Sequence, residues 1–382
     1  MNSIPIVIPC YNRIEPLKRL LASLDNAVYN DETPIIFSID NSGKNDIYNY
    51  INSFQWKHGN KIIIKHSSNI GLKANILYCG DLTKKYDAVI ILEDDLIVAP
   101  DFYNFAIQAF NFYKNEEKIA GISLYKYERA EIDFHQFYPI ETNNDAYLMS
   151  WPSSWGQMWT KKQWENFRIW LEKAKDREVY NITDYVKEWN KESWKKWAVA
   201  YLSSTGKYYV YPYKSFTNEF GTIGTHYSIN TDIPNRNTVS LFYGKNHIYK
   251  FGMFDNLPKY DCFFQPIPKK ITVNDKTYDT TFNLYNCRKS KNIETEYVIS
   301  PTIIKEKHII NKYPLLNIPI ELNLELNCTI DTPPFFYLYK TIYFKDVKLN
   351  YTQKMKLRIL CGAFETFKHA LIKRINRIFR FN

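Results

Sequence analysis

Short apolar runs alternate with stretches of helical periodicity over the first 125 residues, and this alternation constrains the fold more than any other feature. The apolar runs predict strands at residues 4–9, 34–39, 61–65, 89–92 and 119–124. The intervening stretches predict helices at residues 15–26, 45–54, 73–84 and 102–113. Strands that are apolar throughout and alternate with helices are typical of a mostly parallel sheet covered by helices on both faces. The sequence therefore predicts an α/β fold.

A cluster of polar residues follows each of the first four predicted strands. The clusters are residues 10–13, 40–43, 66–71 and 93–95. In parallel α/β sheets, ligands bind at the carboxyl ends of the strands. Any one cluster could be an ordinary loop, but four on the same edge of one sheet predict a binding site.

Three consecutive acids, Glu93, Asp94 and Asp95, come directly after the apolar run 89–92. Like charges this close raise one another's pKa unless a cation or a donor-rich ligand offsets the repulsion. Carboxylate oxygens suit Mg²⁺ or Mn²⁺, and the remaining ligands of such a metal are often substrate phosphates. The alternative is a solvated turn in which Asp94 or Asp95 caps the next helix. The position after a buried strand favours the metal.

The segment 147–200 is rich in tryptophan and shows few strand signals. Its tryptophans are Trp151, Trp155, Trp159, Trp164, Trp170, Trp189, Trp194 and Trp197. We expect most of them to lie in the core, because each buries a large area. Residues 207–350 are rich in Tyr, Pro and Thr, with short strand-like runs.

The positive charge of the chain is concentrated at its carboxyl end. The net charge is +10, and residues 353–382 carry eight Lys or Arg and one Glu, which leaves +3 for the rest. A nearly neutral body argues against nucleic acid as a partner. Apolar residues recur every three or four positions in this segment, at Leu357, Leu360, Phe364, Phe367, Leu371, Ile375 and Ile378. The pattern predicts a basic amphipathic helix that lies on an anionic membrane surface, or else packs on the protein itself or on another subunit.

Six cysteines lie far apart without a CxxC pair, which indicates free thiols in a reducing compartment. No signal-peptide pattern is present at the start of the sequence, and no window is apolar enough to span a membrane. We therefore expect a cytoplasmic protein, peripheral on the inner face of the cytoplasmic membrane.

Four motifs in succession, "IPIVIPCYNR", "FSIDNS", "SSNIGLKAN" and "VIILEDDLIVAPDFY", resemble GT-A fold glycosyltransferases. The likeness is to glycosyltransferase family 13, the N-acetylglucosaminyltransferase I-like enzymes, and to bacterial family 2-like glycosyltransferases. The stretch "EDDLIVAPDFY" is the most specific, and in family 13 it is the DxD-type metal motif. The resemblance covers residues 3–125 well and 147–230 loosely. It implies a Rossmann-like GT-A fold.

The resemblance also implies roles for residues at the predicted sheet edge. The nucleotide pocket and the diphosphate region would include Pro9, Tyr11, Arg13, Asp40, Asn69, Gly71 and Lys73. Asp40 would hydrogen-bond the base or the ribose. Glu93 and Asp94 would contact the ribose and the donor sugar, and Asp95 would be the direct protein ligand of Mn²⁺ or Mg²⁺. The metal would act as a Lewis acid on the leaving nucleoside diphosphate.

The loop "WPSSWGQMW" resembles the one that shapes the sugar sites, which implies that Trp155 and Gly156 lie near the donor. The resemblance does not assign the catalytic base to a single residue. Related enzymes carry an Asp in a "WD" segment, and Lys195 or Lys196 occupies that position here. The candidates for the base are Glu192, which we favour, Asp184 and Glu219; an exposed acid at a helix start is the alternative for Glu192. His226 would reach the metal or diphosphate, or else be structural.

These features predict three segments. Residues 1–235 would form the GT-A domain, with a nucleotide-sugar half (1–125) and an acceptor or catalytic half (126–235). Residues 236–350 would be a carboxyl-terminal extension, and 351–382 the basic amphipathic helix.

The expected function is a metal-dependent, inverting hexosyl- or N-acetylhexosaminyltransferase. It would take a nucleotide-sugar, with a UDP-sugar favoured, and a glycan or lipid-linked glycan acceptor of bacterial surface polysaccharide: O-antigen, capsule or lipooligosaccharide. One alternative is a nucleotidyltransferase that makes a nucleotide-sugar, although "PCYNRIEP" lacks the glycines of a phosphate loop. A second is a non-catalytic glycan-binding or scaffold protein on the same fold.

Overall fold

A computed structural model describes residues 3–133, 135–174, 181–219, 238–324 and 335–346. The chain divides into two compact units. The first unit contains residues 1–127 and 141–262, and the second contains 128–140 and 263–382.

The strands of the first unit are β1 (Ile6–Cys10), β2 (Ile35–Ile39), β3 (Lys61–Lys65), β4 (Ala88–Ile91), β5 (Leu96–Val98), β6 (Ile119–Ser123), β7 (Ala146–Met149), β8 (Gln157–Thr160), β9 (Tyr208–Pro212), β10 (Thr217–Glu219) and β11 (Lys259–Tyr260). Its helices are α1 (Ile14–Asp25), α2 (Asp46–Ser53), α3 (Gly71–Asp81), α4 (Phe102–Tyr113), α5 (Lys161–Ala174), α6 (Asp184–Lys187) and α7 (Trp194–Thr205). Short 3₁₀ turns occupy Leu82–Lys84 and Phe254–Asn256.

A nine-stranded sheet organises this unit, in the order β11-β7-β9-β6-β8-β4-β1-β2-β3. Strand β1 runs parallel to both β2 and β4, and β2 runs parallel to β3. Every residue of β1, β2, β4 and β6 is buried, which requires that both faces of the sheet be covered there. The predicted α/β class is confirmed. The predicted order of strands and helices is observed up to β6, except that the short strand β5 was not predicted.

Beyond the strands that periodicity predicts, the sheet contains antiparallel as well as parallel pairs. Strand β8 runs antiparallel between β4 and β6, and β7 runs antiparallel to β9. Both strands fall almost entirely in the tryptophan-rich segment, where strand signals are few. They are short and wholly buried, so they show no alternation of polar and apolar residues.

The predicted packing of the tryptophans holds for half of them. Trp151, Trp159, Trp164 and Trp194 are buried. Trp155, Trp170, Trp189 and Trp197 are only partly buried.

The second unit has its own five-stranded sheet, in the order β12-β13-β14-β16-β15. Its strands are β12 (Lys269–Val273), β13 (Lys276–Phe282), β14 (Tyr297–Ser300), β15 (Ile309–Pro314) and β16 (Phe335–Lys340). Its 3₁₀ turns are Ser290–Asn292, Glu306–His308, Ile320–Leu324 and Thr341–Tyr343. The β13–β14 pair is parallel and the other pairs are antiparallel. An apolar cluster that includes Phe282, Ile299 and Leu338 supports this sheet.

Two predicted features fall outside the described residues. The predicted boundary at residue 235 lies within 220–237, and the predicted basic helix lies within 347–382. Among the residues that the structure describes, no helix is long and apolar enough to cross a membrane.

Candidate active site

The polar clusters predicted to share one edge of the sheet do so. The register pairs Cys10 at the end of β1 with Ile39 at the end of β2, and Ile39 with Lys65 at the end of β3. On the other side of β1, Val7 pairs with Ile91, the last residue of β4. The loops after these four strands therefore leave the sheet side by side, and Arg13, Asp40 and Asp95 belong to three of them.

Arg13 joins the loop after β1 to the acids after β4. Its Nη1 donates a hydrogen bond of 2.7 Å to Oδ2 of Asp95, and its Nη2 donates to Oδ1 of Asp94. The side chain of Arg13 is 28% exposed, whereas those of Asp94 and Asp95 are 5% and 13% exposed. One guanidinium thus bridges two consecutive carboxylates. Because these ion pairs are mostly buried, salt screens them far less than it screens pairs on the surface.

Two of the three acids have raised pKa values, and burial is the main cause for both. Burial raises the pKa of Asp94 to about 7, while Arg13 acts in the opposite direction. Burial and the neighbouring Asp95 raise the pKa of Glu93 to about 8, against the lowering effects of Arg13 and Lys195. Burial lowers the pKa of Arg13, but the two aspartates outweigh it and the net shift is upward. A cation beside the cluster would lower both raised pKa values and stabilise the ionised carboxylates.

One carboxylate oxygen of the triplet is left without a partner. Oδ1 of Asp95 is buried and accepts no hydrogen bond from any residue in the described ranges. An unpaired buried carboxylate oxygen costs free energy unless a cation or donor meets it. Hard oxygen ligands of this kind suit Mg²⁺ or Mn²⁺. No group of three or more His, Cys, Asp or Glu side chains suited to a metal occurs in the described part of the chain.

Asp40 organises the loop that enters α3. Its Oδ1 accepts hydrogen bonds of 2.8 Å from the backbone amides of Asn41 and Ile70, and its Oδ2 accepts one of 3.0 Å from that of Gly71. Gly71 has a φ of +80°, which a residue with a side chain rarely adopts. The amide of Asn69 lies beside this turn and donates to the hydroxyl of Tyr11 at 3.3 Å. Residues predicted to surround the nucleotide therefore contact one another across three loops.

Lys73 on α3 points toward the segment that precedes α7. Its Nζ donates a 2.9 Å hydrogen bond to the carbonyl of Lys191 and lies 3.7 Å from Oε2 of Glu192. The Lys73 ammonium also lies 5.8 Å from the ring centre of Trp197. The predicted diphosphate partner and the favoured base are thus neighbours.

Comparison with known protein families finds a match that includes this edge of the sheet. Residues 6–181 match the family model described as Glycosyl transferase family 2. The match covers slightly less than half of the chain, and over it the sequence is similar to family 2 glycosyltransferases. The GT-A fold that the motifs implied is thereby confirmed, and the acid triplet, Arg13 and Asp40 all lie inside the matched residues.

Solved structures similar to the chain include S. aureus TarS 1–349 in complex with UDP-GlcNAc, at 12% identity and a TM-score of 0.37, over 59% of this chain and 60% of that chain. The mannosyltransferase PcManGT from Pyrobaculum calidifontis, in complex with GDP-Man and Mn²⁺, matches at 10% identity and a TM-score of 0.30, over 42% of this chain and 45% of that chain. The chain therefore spans less than two thirds of either protein. No curated protein sequence matches it.

Trp155 and Gly156 also lie within the matched residues, in the loop before β8. Gly156 has a φ of +93°, and a Cβ placed on it would lie 2.9 Å from Cγ2 of Thr217. Its carbonyl accepts a hydrogen bond from the amide of Leu124, and the carbonyl of Trp155 accepts one of 2.5 Å from the hydroxyl of Thr217. The half-buried Trp155 ring packs edge-on against Tyr125. Glycine is thus required where β6, β8 and β10 converge.

Lys195 is the residue whose importance the sequence pattern did not reveal. It is buried in the first turn of α7, and its ammonium lies 5.3 to 6.0 Å from the ring centres of Trp155, Trp151, Tyr127 and Trp189. Its Nζ donates to the hydroxyl of Tyr127 at 3.2 Å. The positive charge also acts on Glu93. The signal available in the sequence was a lysine, in a tryptophan-rich segment, at the position of an expected acid.

The remaining predicted residues are spread more widely. Pro9 lies in β1, opposite Ser38 of β2. Asp184 is the first residue of α6, whose amino-terminal cap is the side chain of Thr183. Glu219 is buried in β10 and pairs with Leu96, the residue after Asp95. His226 lies outside the described residues.

Proposed function

We propose that the protein transfers a hexosyl or N-acetylhexosaminyl group from a nucleoside diphosphate sugar to a glycan acceptor, with the help of a divalent metal and with inversion. The observation that carries this proposal is the buried, unpartnered Oδ1 of Asp95 in an acid triplet at the carboxyl end of β4, inside the residues that match family 2 glycosyltransferases. UDP is the favoured nucleotide, through the resemblance of the sequence motifs.

In the proposed site, Asp95 would hold Mn²⁺ or Mg²⁺, and Glu93 and Asp94 would contact the ribose and donor sugar. The metal would stabilise the charge that develops on the departing nucleoside diphosphate. Tyr11 and Asn69, which already touch each other, would line the nucleotide pocket. Asp40 keeps acceptor capacity for the base or ribose, because a carboxylate offers about four lone-pair positions and three are used here.

Glu192 is proposed as the base that takes the proton from the acceptor hydroxyl. Its side chain is 77% exposed, which leaves it accessible to an acceptor, and Lys73 holds it toward α3. Asp184 and Glu219 remain the alternatives. Glu219 is buried, and its strand partner Leu96 belongs to the apolar core, so an acceptor would reach it less readily.

The acceptor is proposed to be a lipid-linked or free glycan in the synthesis of bacterial surface polysaccharide. This part of the proposal rests on the likeness of the motifs to bacterial family 2-like enzymes and on the basic amphipathic pattern of residues 353–382. The same pattern supports peripheral binding to an anionic membrane.

A donor screen tests the proposal. Nucleoside diphosphate sugars are added one at a time with Mn²⁺, and a donor that binds the folded protein raises its melting temperature. The donor found is then followed for slow hydrolysis, with and without a chelator. We expect Mn²⁺-dependent hydrolysis that Asp95→Asn lowers about a hundredfold or more.

Asp87→Asn is the matched control, because Asp87 precedes β4 at the opposite end of the strand from the triplet. Tight nucleotide binding without turnover of any donor would instead identify a non-catalytic binding protein. Release of pyrophosphate from a nucleoside triphosphate and a sugar phosphate would identify a nucleotidyltransferase.

A further inference from the structure

Arg13 contacts the acid triplet through both ends of its guanidinium. Nη1 donates to Asp95 and Nη2 donates to Asp94, so one planar group fixes two adjacent side chains. Arginine presents its donors in a rigid fork, which a lysine ammonium does not reproduce. The contact therefore determines the direction of the carboxylates as well as their charge.

This contact gives the two carboxylate oxygens of Asp95 different hydrogen-bonding environments. Oδ2 accepts the 2.7 Å hydrogen bond from Arg13, while Oδ1 is buried and accepts none from the residues that the structure describes. A ligand carboxylate commonly has one oxygen held by an outer partner and the other directed at the metal. The geometry at Asp95 has this form.

We propose that Arg13 is a positioning residue for the metal ligand: it holds Oδ2 of Asp95 so that Oδ1 is presented to a divalent cation. The inference rests on the proposed function, since it takes Asp95 as the ligand. It gives Arg13 a role different from the nucleotide contact that the sequence motifs implied. Arg13 stays bonded to Asp95 when the cation is bound.

A competing role for the same contact makes opposite predictions. If Arg13 merely neutralised the acids until a metal arrived, the cation would have to displace it. Removal of the arginine charge would then tighten metal binding, because two positive charges would no longer compete for the same carboxylates. A lysine at this position would retain that competition and leave metal affinity nearly unchanged.

The test measures Mn²⁺ affinity directly, from the loss of the free-ion electron paramagnetic resonance signal, in the full chain without donor. Arg13→Lys and Arg13→Gln are compared with the unaltered protein. Arg19→Gln, an exposed position on α1, controls for the loss of one positive charge. We expect both Arg13 variants to bind Mn²⁺ about 10 to 100 times more weakly, and Arg19→Gln to bind within about twofold.

Tighter binding in Arg13→Gln, or unchanged binding in Arg13→Lys, would overturn the proposal. Melting curves accompany each variant, and Arg13→Lys preserves the charge if Arg13→Gln does not fold. Asp95→Asn separates this inference from the proposed function. If Asp95→Asn still binds Mn²⁺ as the unaltered protein does, the metal assignment fails; if only the Arg13 variants keep full affinity, the positioning role alone fails.

Discussion

The ammonium of Lys73 lies 3.7 Å from the carboxylate of Glu192, so that α3 and the loop before α7 are joined by opposite charges. A pair this exposed contributes little to stability. Its effect is to hold the Glu192 carboxylate beside the helix that begins at Gly71, next to the loop of Asp40.

The first prediction follows from this placement. Glu192→Gln keeps the size of the side chain and removes the proton acceptor, so transfer to the acceptor should fall about 10²- to 10⁴-fold. Nucleotide affinity, measured by calorimetry with UDP and Mn²⁺, should change little. Asp184→Asn and Glu219→Gln are the parallel variants. A large loss of transfer in either of these, with Glu192→Gln near normal, would move the base to that residue.

A second prediction concerns Gly156. An alanine there must adopt a φ of +93° and bring its Cβ within 2.9 Å of Thr217. We expect Gly156→Ala to lower the free energy of unfolding by about 2–4 kcal/mol, from strain and overpacking together. Gly206→Ala is the matched control, because Gly206 has a φ of +61° with nothing within 4 Å and should cost only about 1 kcal/mol. Urea titration of both variants measures the difference, and equal losses would mean that Thr217 yields to the added methyl group.

A third prediction separates two adjacent lysines. Lys195 is enclosed by aromatic rings and acts on Glu93, whereas Lys196 donates to the carbonyls of Lys187 and Trp189. Methionine has nearly the volume of lysine and avoids the cost of burying a charge, which offsets the lost contacts with Tyr127 and the rings, so Lys195→Met should change the melting temperature little. Donor turnover should nevertheless fall about tenfold or more, because a positive charge beside the triplet is lost.

Lys196→Met should have the opposite effects on melting temperature and donor turnover. It removes two hydrogen bonds that hold the loop before α7, so the melting temperature should fall while turnover per folded molecule is retained. Calorimetric melting and hydrolysis assays of the two variants provide the comparison. Loss of turnover in both variants, or in neither, would contradict a special role for Lys195.

A fourth prediction concerns residues 353–382, which lie outside the described residues. Removal of this segment takes away seven of the ten net positive charges. Each basic residue near an anionic bilayer contributes roughly 1 kcal/mol, so flotation with phosphatidylglycerol vesicles should be abolished. Donor hydrolysis should persist, and neutral phosphatidylcholine vesicles serve as the control. If the shortened chain unfolds, the segment packs on the body of the protein.

Periodicity in the sequence was sufficient to predict most strands in the first half of the sheet. Strands β1 to β4 and β6 are each a continuous apolar run between helical patterns, and a buried parallel strand can be recognised in that way. Strands β7 and β8 could not be recognised, because they follow β6 with no helix between them, so helical patterns do not mark their bounds. Their antiparallel insertion depends on pairing with distant strands, which local patterns do not encode.

The sequence predicted which loops form the site, but it did not predict the contacts between their side chains as well. Sheet topology brings the acids, Asp40 and Asn69 to one edge, and the order of strands and helices implies this directly. The bond between Arg13 and Asp95 could not be inferred, since it depends on how two loops bend after leaving the sheet. The aromatic surroundings of Lys195 are contributed by three separate segments of the chain and show no common spacing.

The position of β9 has a consequence for where this protein can be divided. The family 2 match ends at residue 181, yet β9 (Tyr208–Pro212) lies between β6 and β7 and pairs with both. A polypeptide that stopped at residue 181 would leave the free edge of β6 exposed and β7 without a neighbour. Open strand edges recruit other chains, so such a fragment should aggregate instead of folding. The chain beyond residue 181 is therefore part of the same folding unit. Its removal should also disturb the acid triplet, because β10 pairs with β5, which begins directly after Asp95.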